Sequence, residues 1–187
     1  VQDRLCAEID NPEDLKQVSG MLKEVENRTV YMCFSADMLH SGHIAIIRKA
    51  ARLGRLIIGV LSDEAVISYK RYPLLPYAER KALFENIRGV SRVVEQKTLS
   101  YKENLEKYHP DYVVHGDDWV SGFQKPVRQE VLDTLKAYGG TLVEFPYSRD
   151  EKYKALENRA RADLSLPDIR RGRLRKAIEM KGTITAM

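Results

Sequence analysis

Five short apolar runs, each separated from the next by a stretch of helical periodicity, constrain this chain more than any other feature. Thr29–Cys33, Arg55–Leu61, Val90–Glu95, Asp111–His115 and Thr141–Phe145 are rich in β-branched and apolar residues, as buried strands are. Between them the pattern predicts helices over Ile44–Leu53, Tyr77–Arg88, Lys102–His109 and Pro126–Tyr138. A shorter helix opens at Ser62-Asp63-Glu64 and ends near Tyr69-Lys70-Arg71. Near-continuous apolar runs suit strands covered on both faces, and helical crossovers make neighbouring strands parallel. The expected class is α/β, a doubly wound five-stranded parallel sheet. Asn11–Glu26 adds an amphipathic helix before it, with Leu15, Val18, Met21, Leu22 and Val25 on one face. The expected division is a helical extension over 1–27, the sheet domain over 28–150, and a helical tail over 151–187.

Ligands of such sheets bind beyond the carboxyl ends of the strands. Phe34-Ser35-Ala36-Asp37-Met38-Leu39-His40-Ser41-Gly42-His43 follows the first strand and leads into a helix that stops at Gly54, a candidate C′ cap. Backbone N–H groups and the positive end of the helix dipole converge at such a turn and favour anions. Two imidazoles three residues apart add donors that follow charge onto phosphate oxygens. Gly42 lets a phosphate approach the backbone. A zinc pair is the competing reading of His40 and His43, but no nearby Cys or acidic residue is spaced as a third ligand. Gly116-Asp117-Asp118-Trp119 closes the fourth strand at the same edge of the sheet, so both turns can share one cleft.

Length and charge narrow the rest. The 187 residues suit one α/β domain with an appendage. No apolar run reaches membrane-spanning length, and Cys6 and Cys33 do not suggest a disulfide. A cytoplasmic protein with no membrane partner is the expectation. Net charge is +4, and the excess lies between Arg149 and Lys181, where eleven Lys/Arg face six Asp/Glu. A solvated helix face and an anionic partner both account for that tail. Nucleic acid is disfavoured, because aromatics are not interleaved beyond Tyr153.

His40-Ser41-Gly42-His43 resembles the HxGH signature of the nucleotidyltransferase superfamily. Together with Ser35–Leu39, Leu61-Ser62-Asp63-Glu64, Glu79-Arg80-Lys81, Asn86-Ile87-Arg88 and Gly116-Asp117-Asp118-Trp119, it looks like glycerol-3-phosphate cytidylyltransferase over Thr29 to Tyr147. That likeness implies a Rossmann-like nucleotidyltransferase fold, CTP as substrate, Mg²⁺ as cofactor with Asp37 as a neighbour, and a homodimer. By position, His40 and His43 would hold the CTP phosphates, with Lys70 beside the α-phosphate and Arg80 and Arg88 neutralising the triphosphate or acceptor. Ser35, Ala36, Asp37 and Gly42 would line the nucleotide from the first turn. Gly116, Asp117, Asp118 and Trp119 would shape the nucleotide and acceptor pocket from the fourth.

Two departures matter. The family opens its first turn with Gly-Thr-Phe-Asp, where this chain has Ser35-Ala36-Asp37, and Ser35 is the hydroxyl available in place of the Thr. The family also closes its core with an Ile-Ser-Thr-Thr type element at a helix start, and here Glu151-Lys152-Tyr153-Lys154 stands there. Lys152 and Lys154 diverge by about 200° on a helix, so Lys152 is the one expected to reach the phosphates, with Arg159 on nearly the same face. Leu166–Arg170 and Arg173–Ile178 resemble the junction where such cytidylyltransferases are fused to phosphoenolpyruvate mutase. Thr183–Met187 would begin that absent mutase domain. The fusion implies phosphonate biosynthesis of the fosfomycin type, with 2-hydroxyethylphosphonate as acceptor. Alternatives are 2-aminoethylphosphonate, glycerol phosphate or a phosphoamine, and, in another class, a nucleotide-binding module that has lost turnover.

Overall fold

The computed structural model describes residues 10–35, 38–69, 73–120 and 124–146, together with Tyr153, Ala155, Leu156 and Arg159. Helix α1 (Pro12–Asn27) is capped by the Asn11 side chain, which accepts from the Asp14 N–H at 2.9 Å. It leads into β1 (Thr29–Phe34), then α2 (Ser41–Ala51), β2 (Arg55–Leu61), α3 (Asp63–Ile67) and α4 (Tyr77–Glu85). β3 (Val90–Gln96), α5 (Lys102–Tyr108), β4 (Tyr112–Gly116), a single 3-10 turn over Asp117–Trp119, α6 (Lys125–Tyr138) and β5 (Thr141–Phe145) complete the order.

All five strands are parallel, in the order β3-β2-β1-β4-β5. The chain builds outward from β1 to β3, then crosses back and builds outward again through β4 and β5. The reversal lies between β1 and β4, and the crevice above it is where a doubly wound sheet takes ligands. The expected α/β class and sheet are those observed.

Alternation along the strands decides which helices cover which face. Val30, Met32, Leu56, Ile58 and Val60 pack with Ile47 and Ala50 of α2 and Phe84 of α4. Tyr31, Ile57 and Val113 face the other way, with Leu105 of α5 and Val131 and Leu135 of α6. The central strands β1, β2 and β4 are thus covered on both faces, as their continuous apolar runs require. α1 buries none of its residues and leaves Leu15, Met21 and Leu22 exposed.

Three boundaries differ instructively from expectation. α2 starts at Ser41 rather than Ile44, so the second histidine lies inside its first turn. The helix ends at Ala51 with Arg52 as its cap, and Gly54 is not the C′ residue. Gly54 instead lets the chain pass Arg28, whose carbonyl accepts from the Arg55 N–H at 2.8 Å and would collide with any Cβ at 54. α3 stops at Ile67, short of the expected Tyr69-Lys70-Arg71. Its start is as read: Ser62 caps it, accepting from the Ala65 N–H at 3.1 Å.

Candidate active site

The two histidines cap their own helix. The Gly42 N–H donates to His40 Nδ1 at 3.1 Å, and the His40 N–H donates to His43 Nδ1 at 3.3 Å, a reciprocal capping box in which imidazoles replace the usual Ser and Glu. This fixes the tautomers. A neutral ring whose Nδ1 accepts carries its proton on Nε2, so each histidine has an Nε2–H donor. The rings lie 3.9 Å apart, and Phe34 packs edge-on to His43 at 5.7 Å. Phe34 in turn stacks on Phe84 of the core. Helix dipole and imidazole donors therefore come from the same four residues.

Across the reversal, β4 delivers Gly116 and the 3-10 turn. Trp119 is buried and its indole stacks on the His115 ring at 3.7 Å, nearly parallel. Its Nε1–H donates to Glu144 of β5 at 2.6 Å, and Glu144 also takes two bonds from Arg128 of α6, at 2.9 and 2.7 Å. The Arg128 guanidinium, with help from Trp119, holds the Glu144 carboxyl below its ordinary value. His115 Nδ1 donates to the Gly116 carbonyl at 2.8 Å, and burial pushes its pKa below the ordinary 6.5. A neutral imidazole with its proton on Nδ1 leaves Nε2 as an acceptor.

A cavity of about 200 Å³ joins these turns. Ser35 and His43 lie on its wall from the first, and Gly116, Asp118 and Trp119 from the second. It continues past them toward β3, where Gln96, Leu99 and Tyr101 close it.

Several expected residues take other places. Arg80 does not reach this cavity as a phosphate ligand. Its side chain is 0 % exposed and its guanidinium donates to the carbonyls of Ser35 (2.7 Å), Leu61 (2.8 Å) and Leu75 (3.0 Å) and to Asp63. It is a structural clamp, because every nitrogen already has a protein acceptor. Arg88 is exposed beyond α4, outside the cavity wall. Asp117 is exposed and off the wall, where Asp118 lies instead. Ala36, Asp37, Lys70 and Lys152 fall outside the described residues, as does the tail with its resemblance to a fusion junction. Tyr153, between the two lysines, is described: its ring stacks on His40 at 4.5 Å and its hydroxyl lies 3.0 Å from Ser41 Oγ. No sequence pattern marks Tyr153, Glu144, Arg128 or His115 as site residues. Only Tyr153 carried a signal, as the aromatic between two candidate lysines.

The cytidylyltransferase-like family signature spans residues 32–171. The chain belongs to the cytidylyltransferase-like family. Ethanolamine-phosphate cytidylyltransferase of Arabidopsis thaliana is 37 % identical over 95 residues, which are 48 % of this chain but only 23 % of that enzyme. Glycerol-3-phosphate cytidylyltransferase of Staphylococcus aureus is 36 % identical over 89 residues, 46 % of this chain and 67 % of the relative. Among solved structures, the lipopolysaccharide core biosynthesis protein of Thermoplasma volcanium superposes with a TM-score of 0.54 at 21 % identity, covering 66 % of this chain and 98 % of that one. This likeness shows the shared fold. Among the described residues of this family member no helix is long and apolar enough to cross a membrane.

Proposed function

We propose that this chain is a cytidylyltransferase that moves CMP from CTP to a small phosphonate, best read as 2-hydroxyethylphosphonate, with release of pyrophosphate. The observation that carries the reading is the self-capped histidine pair at the N-terminus of α2, whose His43 lies on the wall of the cavity that Gly116, Asp118 and Trp119 also line. The names of the relatives support CTP as the donor. The acceptor rests on the resemblance of Leu166–Ile178 to a mutase junction.

An acceptor oxygen, already ionised at neutral pH, attacks the α-phosphorus in line. The new P–O bond forms as the bond from the α-phosphorus to the bridging oxygen breaks, and that electron pair leaves with pyrophosphate. No proton has to be removed, so catalysis is positioning and stabilisation of moving charge. His40 and His43 supply Nε2–H donors, and the first-turn amides of α2 supply a fixed dipole. Neutral His115, with the Gly116–Trp119 turn, walls the base side.

Among the described residues no group of three or more His, Cys, Asp and Glu is gathered as a metal cage. That suits Mg²⁺, which keeps its waters and binds through substrate phosphates with one or two carboxylates. Asp118 on the cavity wall, and Asp37 by sequence, are the candidates. The ion would supply neutralisation of phosphate charge.

Pyrophosphate release with CTP and a panel of 2-hydroxyethylphosphonate, 2-aminoethylphosphonate, glycerol 3-phosphate and ethanolamine phosphate tests the proposal. The hydroxyethyl compound should give the highest kcat/KM. CTP binding without turnover on any acceptor would replace the enzyme with a nucleotide-binding module. The stack of Tyr153 on His40, in place of the family's hydroxyl pair, is the observation favouring that second reading.

A further inference from the structure

The β3 end of the cavity holds a polar network whose direction is fixed link by link. Asn104 Nδ2 donates to the Glu95 carbonyl at 3.0 Å and to Tyr31 Oη at 2.9 Å. Because the carbonyl can only accept, the Asn104 amide cannot be turned round. Tyr31 Oη, having accepted from Asn104, donates its own proton to Gln96 Oε1 at 2.6 Å. Burial holds the Tyr31 phenol well above its ordinary pKa, so that proton stays in place. Gln96 is thereby locked with its oxygen toward Tyr31. Its Nε2 is buried and has no hydrogen-bond partner among the described residues; Gln96 is only 2 % exposed and lies on the cavity wall.

Gly59 shows how closely this arrangement is fitted. Any Cβ there would overlap Tyr31 Oη and crowd Gln96 Oε1, so the phenol crosses β2 only because 59 is glycine. A buried amide N–H₂ without an acceptor is costly in a folded protein. A network that holds such a donor in a residue of the cavity wall points to an acceptor that arrives with a ligand.

Position and surroundings say which ligand atom that is. β3 lies three strand spacings from β4, about 14 Å across the sheet. The histidine turn on β1 stands between them. With the base beside Gly116–Trp119, the Gln96 end belongs to the other substrate. Leu61, Tyr69, Leu99 and Tyr101 surround it, and among the described lining residues the one carboxylate is Asp118, at the β4 end. Among the described lining residues an ammonium group would find no counter-charge beside Gln96, whereas an uncharged oxygen would accept from Nε2.

We propose that Gln96 is the specificity-determining residue of the acceptor subsite, and that its amide N–H reads a neutral hydroxyl or ether-type oxygen on the tail of the acceptor. This rests on the cytidylyltransferase reading above and narrows it toward hydroxyl-bearing acceptors and away from amino-bearing ones.

The test compares 2-hydroxyethylphosphonate, ethylphosphonate and 2-aminoethylphosphonate. Each is followed by pyrophosphate release, and by calorimetric binding in the presence of a non-hydrolysable CTP analogue. Wild type should favour the hydroxyethyl over the ethyl compound by roughly 10- to 100-fold, the range for a site that loses a designed hydrogen bond. The aminoethyl compound should be no better than the ethyl one. Gln96→Met should bring the hydroxyethyl-to-ethyl ratio toward one while the KM for CTP stays within about twofold. Should that variant fold poorly, Gln96→Glu keeps an acceptor for Tyr31 and, at alkaline pH, puts a carboxylate where the donor stood. Its preference should then turn toward the aminoethyl compound.

Equal handling of the hydroxyethyl and ethyl compounds by wild type would overturn the proposal. So would an unchanged ratio in both Gln96 variants, or a rise in the KM for CTP instead. If wild type turns over no acceptor at all, the enzyme reading fails. The binding arm still decides the role of Gln96, because a hydroxyl preference that vanishes in Gln96→Met sustains it and its persistence does not.

Discussion

The two turns that face each other across the cleft are built on opposite plans. The β1–α2 turn is self-contained: residues 40 to 43 cap the helix, fix both tautomers and present the donors. The turn after β4 has no side-chain cap of its own. Trp119 is held by Glu144, 25 residues on, and Glu144 by Arg128 in another element. One half of the site is written in four consecutive residues, and the other exists only once the sheet is complete. On the cytidylyltransferase reading, chemistry aimed at a moving charge falls to the local half. The half proposed to face the base can be assembled from a distance, because recognition of a flat ring tolerates small shifts in position better than an aimed donor does.

The sharpest way to break that comparison is His43→Ala. It should lower kcat by about two to four orders of magnitude, the scale for losing an aimed charge-stabilising donor, with a smaller change in CTP affinity measured by calorimetry. Near-normal turnover would remove the local half from the mechanism. On the distant half, CTP should be preferred to ATP by at least roughly tenfold in kcat/KM, as mispaired buried groups would give. Equal use of the two nucleotides would mean that Gly116–Trp119 does not read the base.

Glu144→Gln should act on that half alone. It loses the charge that Arg128 and Trp119 share, and should raise the KM for CTP by about tenfold with kcat nearly kept, in keeping with the worth of a charge-assisted bond. A fall in kcat without a KM change would place Glu144 in the chemistry instead.

Acid should separate the halves more gently. His115 and Glu144 both have folded pKa values below their ordinary ones, so the folded state binds fewer protons than the unfolded chain. Their contribution to stability is full above the unfolded values and falls as pH drops through them. His115 acts first, from about 6.5 downward, and Glu144 from about 4.5 downward. Trp119 is the single tryptophan, and its emission should report protonation of the stacked His115 with a midpoint below pH 6.5. A midpoint at or above that value would mean that His115 is not buried as described. The smallest effect is expected at Tyr153→Phe, which loses the contact with Ser41 but keeps the ring on His40, and should change kcat/KM by only a few-fold.

Much of this was legible in the chain. Continuous apolar runs define the class, and the position of His40 and His43 after the first run is enough to place them at the start of α2 on the cleft side of β1. What periodicity could not show was that α2 begins at Ser41, since a histidine at the cap and another at the third position make a box normally built by Ser and Glu. The resemblance to the family places Arg80 at the phosphates by position alone. Its destination depended on three carbonyls and Asp63 meeting at one point, which no local pattern encodes. Glu144 sits in an otherwise apolar fifth strand, and its partners are known only from the packing of α6 on that strand. Gln96 follows the third run, Val90–Glu95, as an ordinary polar residue, and the structure extends β3 to include it. Its importance lies in a missing partner, and a missing partner has no sequence signature.

The Arg80 clamp also sets an order of assembly. Its acceptors lie at residues 35, 61, 63 and 75, all earlier in the chain than Arg80 itself. On a ribosome, where segments become available from the N-terminus onward, everything needed to pin the β1 loop to the end of β2 has emerged once α4 has. The histidine half can therefore be rigid while β4 and β5 are still being made. The tryptophan half has to wait for residue 144. A truncated chain ending between those points would be expected to hold a phosphate-binding turn with no means of telling one nucleotide from another.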